Sequence, residues 1–294
     1  MGILGPLMNP NLRGALLMIG GMGAFRGNDA AMKAVLQDIP FAQAITLRGA
    51  LAVLFVGAVA WMTGAIRRMP TRRQVPLVTV TTLGELGAAV TFLAAIAVIP
   101  LSSAVAILQG VPLVLTVAGA VVFGERIGWR RWAAVSVGLV GVLLILRPGA
   151  DTFRLASLLV IATVLCVSTR DIVARKLGTA VPALVLTLFT SVAITVLGIV
   201  LSAFEPWGDV SVRIALMLAL SAALVSAAVV MVVSAVRTGE ISAVVPFRYS
   251  ALIWGGLYGF ILFDEVPGAY ELAGAAIVAG AGLFILFRER KVAR

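Results

Sequence analysis

Long apolar runs alternate with short clusters of charge along the whole chain. A helix rises about 1.5 Å per residue, so crossing a hydrocarbon layer of about 30 Å takes roughly 20 apolar residues. Ten segments approach or exceed that length: 12–36, 40–65, 75–97, 101–122, 128–146, 153–176, 181–203, 212–236, 241–262 and 268–287. The pattern therefore predicts an all-α membrane protein with ten transmembrane helices. The links between the segments hold only a few residues, too few for a nucleotide-binding domain, and no G-x-x-x-x-G-K-[ST] motif occurs. The first segment has the outline of a signal peptide, with Arg13 ahead of a short apolar core ending near Phe25, but its counterpart at 153–176 predicts that it is retained.

That counterpart belongs to an internal repeat. The stretch Phe123 to Arg147 returns at Phe263 to Arg288: Phe123/Phe263, Glu125/Glu265, Ala134/Ala275, Val137/Val278, Gly141/Gly282 and Arg147/Arg288 fall into register. Upstream, Ser103-Ala104-Val105 matches Ser242-Ala243-Val244 and Asp29 matches Asp171, at separations of 139 to 142 residues throughout. A separation that constant predicts a duplication, with one five-helix unit at 1–148 and a second at 149–294. Five spans is an odd number, so the second unit crosses the membrane in the opposite sense. The expected fold is two inverted five-helix repeats.

Composition removes the main alternatives. Of 294 residues 61% are hydrophobic and 12% charged, with a mean hydropathy of +1.11. Soluble domains carry about 25% charged residues, so this chain cannot clothe a water-exposed surface. The net charge of +10 does not read as a nucleic-acid face, because the twenty Arg and three Lys sit at the ends of apolar segments without aromatic platforms between them. With no histidine and a lone Cys166 inside an apolar run, neither an intrachain disulfide, a soft-metal site nor a Ser-His-Asp triad is available, and no cofactor is implied.

Loop charge sets the orientation. With the N-terminus in the cytoplasm, the inner side collects fifteen bases, among them Arg67, Arg68, Arg72, Arg73, Arg130, Arg131, Lys176, Arg237 and Arg294, against three acids, Glu125, Glu240 and Glu289. The outer side has four bases, Lys33, Arg147, Arg154 and Arg213, against seven acids, Asp38, Asp151, Glu205, Asp209, Asp264, Glu265 and Glu271. The prediction is N-in and C-in, in the bacterial inner membrane. Trp61, Trp129, Trp132 and Trp207 lie near span ends, as interfacial anchors do.

Gly124-Glu125, followed by a helix with Gly138 and Gly141, resembles the close of a half in the EamA-type members of the drug/metabolite transporter superfamily. The second half has Asp264-Glu265 with Gly274, Gly280 and Gly282, and so departs from Gly-Glu at one position. The resemblance covers nearly the whole chain. It implies a ten-helix carrier of small organic metabolites, often an exporter of amino acids, and its motifs speak for the fold far more than for a substrate.

Charged side chains inside a span cost roughly 2.5–3.5 kcal/mol each and usually face a cavity or one another. The spans hold Arg26, Asp29, Arg48, Glu85, Arg170, Asp171 and Arg248. Glu85 lies roughly 15 Å deep, near the midplane, and Arg48 reaches a similar depth on the neighbouring antiparallel span, so a Glu85–Arg48 contact is expected. It either locks two helices or leaves Glu85 to bind a substrate ammonium or a proton, tuned by Arg48 or Arg248. Arg26, Asn28 and Asp29 on the first span, matched by Ser168, Arg170 and Asp171 on the sixth, lie toward the outside and the cytoplasm respectively, where two alternating gates belong; the structural reading of Arg170 is snorkelling to headgroups. Gln109, before Gly110 and Pro112, falls in register with Arg248, beside Pro246 and Tyr249. Proline frees a backbone carbonyl, tolerated where the helix lines a cavity, so both are expected to be kinked pocket walls. Trp254, aligned with Leu115, is a further wall candidate.

These residues predict a secondary transporter that moves a small polar or zwitterionic metabolite by alternating access, with the lipid bilayer and a small-molecule substrate as its partners and no nucleic acid. An Arg for a carboxylate, an acid for an amine, and apolar walls from Trp254 and Tyr249 suit an amino acid; proton coupling would rest on Glu85. A broad-specificity drug or organic-metabolite transporter is the first alternative, and a non-transporting scaffold or intramembrane enzyme the second. Monomer and homodimer are equally compatible with the sequence.

Overall fold

The computed structural model describes residues 9–124, 128–147, 156–177, 180–238 and 240–292. Glu125 and Arg126 of the first turn, the loop charges Asp151 and Arg154, the boundary between the halves at 148–149 and the C-terminal Arg294 lie outside the described residues. Among the described residues there is no strand, and each of the ten apolar segments is helical. They are α1 (Pro10–Val35), α2 (Phe41–Met62), α3 (Val75–Ile96), α4 with α5 (Leu101–Leu108, Val111–Phe123), α6 (Trp129–Leu146), α7 (Ser157–Leu177), α8 (Ala183–Leu201), α9 (Val212–Thr238), α10 with α11 (Ile241–Val244, Ser250–Phe263) and α12 (Ala269–Val292).

Proline sets many of the starts. Pro40, Pro100 and Pro182 stand immediately before α2, α4 and α8, and Pro76 and Pro112 occupy the first turns of α3 and α5, where a missing N–H costs nothing. Eight helical stretches are long and apolar enough to cross a membrane. The two that fall short are α1, interrupted by Arg26, Asp29 and Lys33, and the α10–α11 segment, broken by a 3-10 turn over Val245–Tyr249. Leu54, Val121, Leu216, Ile253 and Ile261 are among many exposed large apolar side chains, spread over helices from both halves. A water-soluble monomer does not present such a surface; the chain is an integral, multi-pass membrane protein.

The two halves interleave. The closest pairings join α1 to α9, α3 to α7, α2 to α8 and α6 to α12, a set left unchanged when each helix of the first half is exchanged for its repeat counterpart. In each pair residue numbers rise on one helix as they fall on the other. Gly49 meets Thr195 while Gly198 meets Thr46, and Gly138 meets Ala281 while Gly141 meets Gly274. The members of each pair are therefore antiparallel. Small residues at the crossings let the backbones approach, the usual source of attraction between helices that gain nothing from leaving lipid for one another.

The departure from Gly-Glu in the second half has a backbone reason. Gly124 closes α5 at φ 65° and Asp264 closes α11 at φ 53°, both left-handed caps. Aspartate is among the few side chains that tolerate this region, so the turn survives the change.

Candidate functional site

The helix breaks and the charged turns converge on one chamber of about 450 Å³. Arg26, Asn28 and Asp29 enter it from α1, Arg48 from α2, Glu85 and Phe92 from α3, Arg170 from α7, Gln109 and Pro112 from the α4–α5 break, and Arg248 and Tyr249 from the 3-10 turn. The two breaks, predicted to be matched, do line a common wall. Arg26, Asn28 and Asp29 of the first cluster and Arg170 of the second, expected near opposite membrane faces, open onto the same chamber. A second cavity of about 280 Å³ shares Phe25, Arg48, Glu85 and Arg170 with the first and continues past Thr187 and Ser191.

Three connected groups make up its electrostatics. On α1, Arg26 faces Asp29 at 3.0 Å and lies over the Phe92 ring, 5.6 Å from its centroid. The approach is off the hydrogen-bonding direction, so Nε and Nη1 of Arg26 and Oδ2 of Asp29 remain buried without a hydrogen-bond partner. Next, the Oδ1 of Asn28 accepts from Arg48 Nε at 3.3 Å, Arg48 Nη2 at 3.1 Å and Ser221 Oγ at 2.8 Å, while its amide donates to Asp29 at 2.9 Å. Finally, Arg170 pairs with Glu85 across α3 and α7 and grips Asp171, with Nη2 at 2.7 Å and Nε at 2.9 Å.

The expected Glu85–Arg48 pair thus gives way to Glu85–Arg170. α3 packs most closely on α7, which turns Glu85 toward the second half, while Arg48 is engaged by α1 and α9. Asp171 stands outside the chamber lining and is paired with Arg170. Trp254 also stays out of the lining: its indole N–H donates to the Ile19 carbonyl at 3.0 Å, its ring lies against Gly23, and it stacks on Tyr258 at 5.7 Å.

Sequence reading missed a clasp at one end of the bundle. Lys33, buried at 6% exposure, pairs with Glu265 and donates to the Ile99 carbonyl at 2.8 Å; the other Glu265 oxygen accepts the amide of Leu101, the first residue of α4, at 2.7 Å. Around it Glu205 accepts the Ala42 amide at 2.9 Å, Gln43 exchanges two bonds with Gly208, and Ser103 donates to Glu271 at 2.6 Å. Both Lys33 and Glu265 had been counted as loop charges. The signal was there: Glu265 repeats Glu125, the residue after the left-handed cap. The chamber reaches away from this clasp, toward Arg131 near the start of α6 and Ile285 and Leu286 near the end of α12.

A bundle that turns apolar side chains outward over much of its surface and holds paired charges around an internal chamber is an integral membrane protein with a charged interior. Residues 12–147, most of the first half of the chain, match the EamA-like transporter family. The chain is 25% identical over 196 residues to an S-adenosylmethionine uptake transporter of Rickettsia bellii (strain RML369-C), an alignment covering 67% of each chain. It is 28% identical over 197 residues to a riboflavin transporter of Vibrio cholerae serotype O1, covering 67% of this chain and 66% of the relative. A solved crystal structure superposes with a TM-score of 0.63 at 17% identity, over 95% of this chain and 98% of the other, a likeness of fold.

Proposed function

We propose that the protein is a secondary transporter that carries a small polar or zwitterionic metabolite, with amino-acid export as the leading case, by alternating access between two inverted halves at 1–148 and 149–294. Both termini face the cytoplasm, and the protein resides in the inner membrane. The observation that carries this reading is the chamber itself: ionised groups from both halves, brought into an apolar bundle where each is costly, gather around a space large enough for a metabolite. The antiparallel α2–α8 and α6–α12 pairs support the inversion, since each pair joins a helix to its own repeat counterpart. The clasp at one end and the chamber's reach toward the other support a two-state cycle. A scaffold has no use for such a chamber, and an enzyme would need a catalytic constellation that these paired charges do not form.

The test is counterflow in proteoliposomes containing this protein alone, with labelled amino acids and with S-adenosylmethionine and riboflavin, the compounds for which the relatives are named. Saturable exchange of a labelled compound is expected; its absence across the panel rejects transport. Orientation is checked by placing a cysteine at Arg67 or at Asp209, two loops matched by the repeat, in a Cys166→Ser background. A membrane-impermeant maleimide applied to intact cells should label the second and spare the first, and equal labelling of both removes the inversion.

Glu85 is assigned the coupling role. Glu85→Gln keeps the shape of the side chain but cannot release a proton, so exchange should persist while accumulation against a pH gradient disappears. Unchanged accumulation and unchanged pH dependence take the role away from Glu85.

A further inference from the structure

The chamber's charge is lopsided in a way that defines what it admits. Arg26 holds Asp29, and Arg170 holds both Glu85 and Asp171. The chamber lining holds two acids, Asp29 and Glu85, against five arginines, Arg26, Arg48, Arg131, Arg170 and Arg248. Arg48 is buried and its hydrogen bonds go to the neutral Asn28 and Ser221. Arg248 is exposed to the chamber on the 3-10 turn and has no acid partner among the described residues. Among the buried polar atoms without a hydrogen-bond partner, Nη1 of Arg26 and Oδ2 of Asp29 face each other at 3.0 Å, Nε of Arg26 can only donate, and the hydroxyls of Ser102, Tyr249 and Ser250 can donate or accept. Five guanidinium groups against two carboxylates in the lining call for a ligand that supplies oxygen lone pairs and negative charge. Phe25, Phe92 and Leu115 cover the rest of the wall with apolar surface.

We infer that the site takes an organic anion, a carboxylate or phosphate on an apolar or aromatic body, and discriminates against cations. Arg248 binds the anionic group, because a guanidinium presents a fork of donors matched to two oxygens. The inference rests on the transport reading for its location only, since it concerns binding in the chamber. It also separates this chain from a carrier of S-adenosylmethionine, a sulfonium compound of net positive charge.

The test uses the purified full chain and one ring body in four charge states: 3-phenylpropanoate, phenyl phosphate, phenylalanine and phenethylamine, with S-adenosylmethionine as a fifth compound. Thermal stabilisation reports binding, and counterflow reports transport. The expected order places the carboxylate or the phosphate at least about tenfold tighter than the amine, the size of a charge-assisted hydrogen-bond effect, and the better of the two anions names the group. Arg248→Gln should erase that preference, and Arg248→Lys should restore part of it; as an exposed side chain Arg248 is removable without unfolding the bundle, which the melting temperature of the unliganded variants checks. Phenylalanine, which carries a carboxylate, should bind more tightly than phenethylamine; equal or tighter binding of phenethylamine or S-adenosylmethionine than of the anions, no binding by any member, or an anion preference that survives Arg248→Gln overturns the inference. Anions that stabilise the protein without any counterflow leave the inference standing and count against transport instead.

Discussion

Replacing Lys33 by methionine is expected to destabilise the bundle by about 3–5 kcal/mol, the range for breaking a buried ion pair from one side. Methionine fills the space of the lysine stem, so packing is largely kept and the loss is electrostatic. What remains is the Glu265 carboxylate at 14% side-chain exposure, with the Leu101 amide as a neutral partner and Gly259 close against it. The Ile99 carbonyl loses its donor and the Phe263 ring loses a cation held 5.1 Å from its centroid. Thermal unfolding in detergent measures the effect. The double variant Lys33→Met/Glu265→Met should recover much of the loss, because two apolar groups in contact do not carry the desolvation cost that a stranded charge does. A single variant within about 0.5 kcal/mol of the parent, the size of an ordinary surface change, would show that the clasp holds nothing together.

The second large effect is expected where α2 crosses α8. A Cβ on Gly198 would stand 2.8 Å from the Thr46 amide nitrogen and 2.9 Å from its Cα, and one on Gly49 would stand 3.0 Å from the Thr195 amide nitrogen. Backbone cannot swing aside as a side chain does, so the helices must separate. Overpacking of this kind costs about 1–3 kcal/mol, and Gly198→Val should exceed Gly198→Ala. Gly57, on α2, supplies the control: a Cβ there meets only Leu188 at 3.8 Å, an ordinary contact. Gly57→Ala gains helix propensity of up to about 1 kcal/mol and pays no steric cost, so the two alanine variants should move the melting temperature in opposite directions. Parallel behaviour would mean that the crossing is looser than the structure has it.

Much of the architecture was legible from one dimension. The ten apolar segments became helices with small errors at their ends, and the Gly110-Pro112 and Pro246 breaks appeared where proline placed them. Of the predicted site residues, Glu85, Arg48, Gln109, Arg248, Tyr249, Arg26, Asn28, Asp29 and Arg170 all line the chamber. Ser221 escaped notice because a serine in an apolar helix is cheap and common, although here it holds Asn28 in place. Trp254 was misplaced for a related reason: a large aromatic in a span reads as a pocket wall whichever way it points.

The sequence by itself determined the quantities that depend on one helix at a time: which segments are apolar enough to leave water, where proline interrupts them, and where along its helix each charge lies. Tertiary structure alone decided the partners, giving Glu85 to Arg170, Lys33 to Glu265 and Arg48 to Asn28. Position along a helix follows from counting residues at a fixed rise, whereas a partner depends on how far each helix is turned about its axis, and that rotation is set by close contacts with helices from about 80 to about 210 residues away, as Gly87 with Cys166 and Gly20 with Met231.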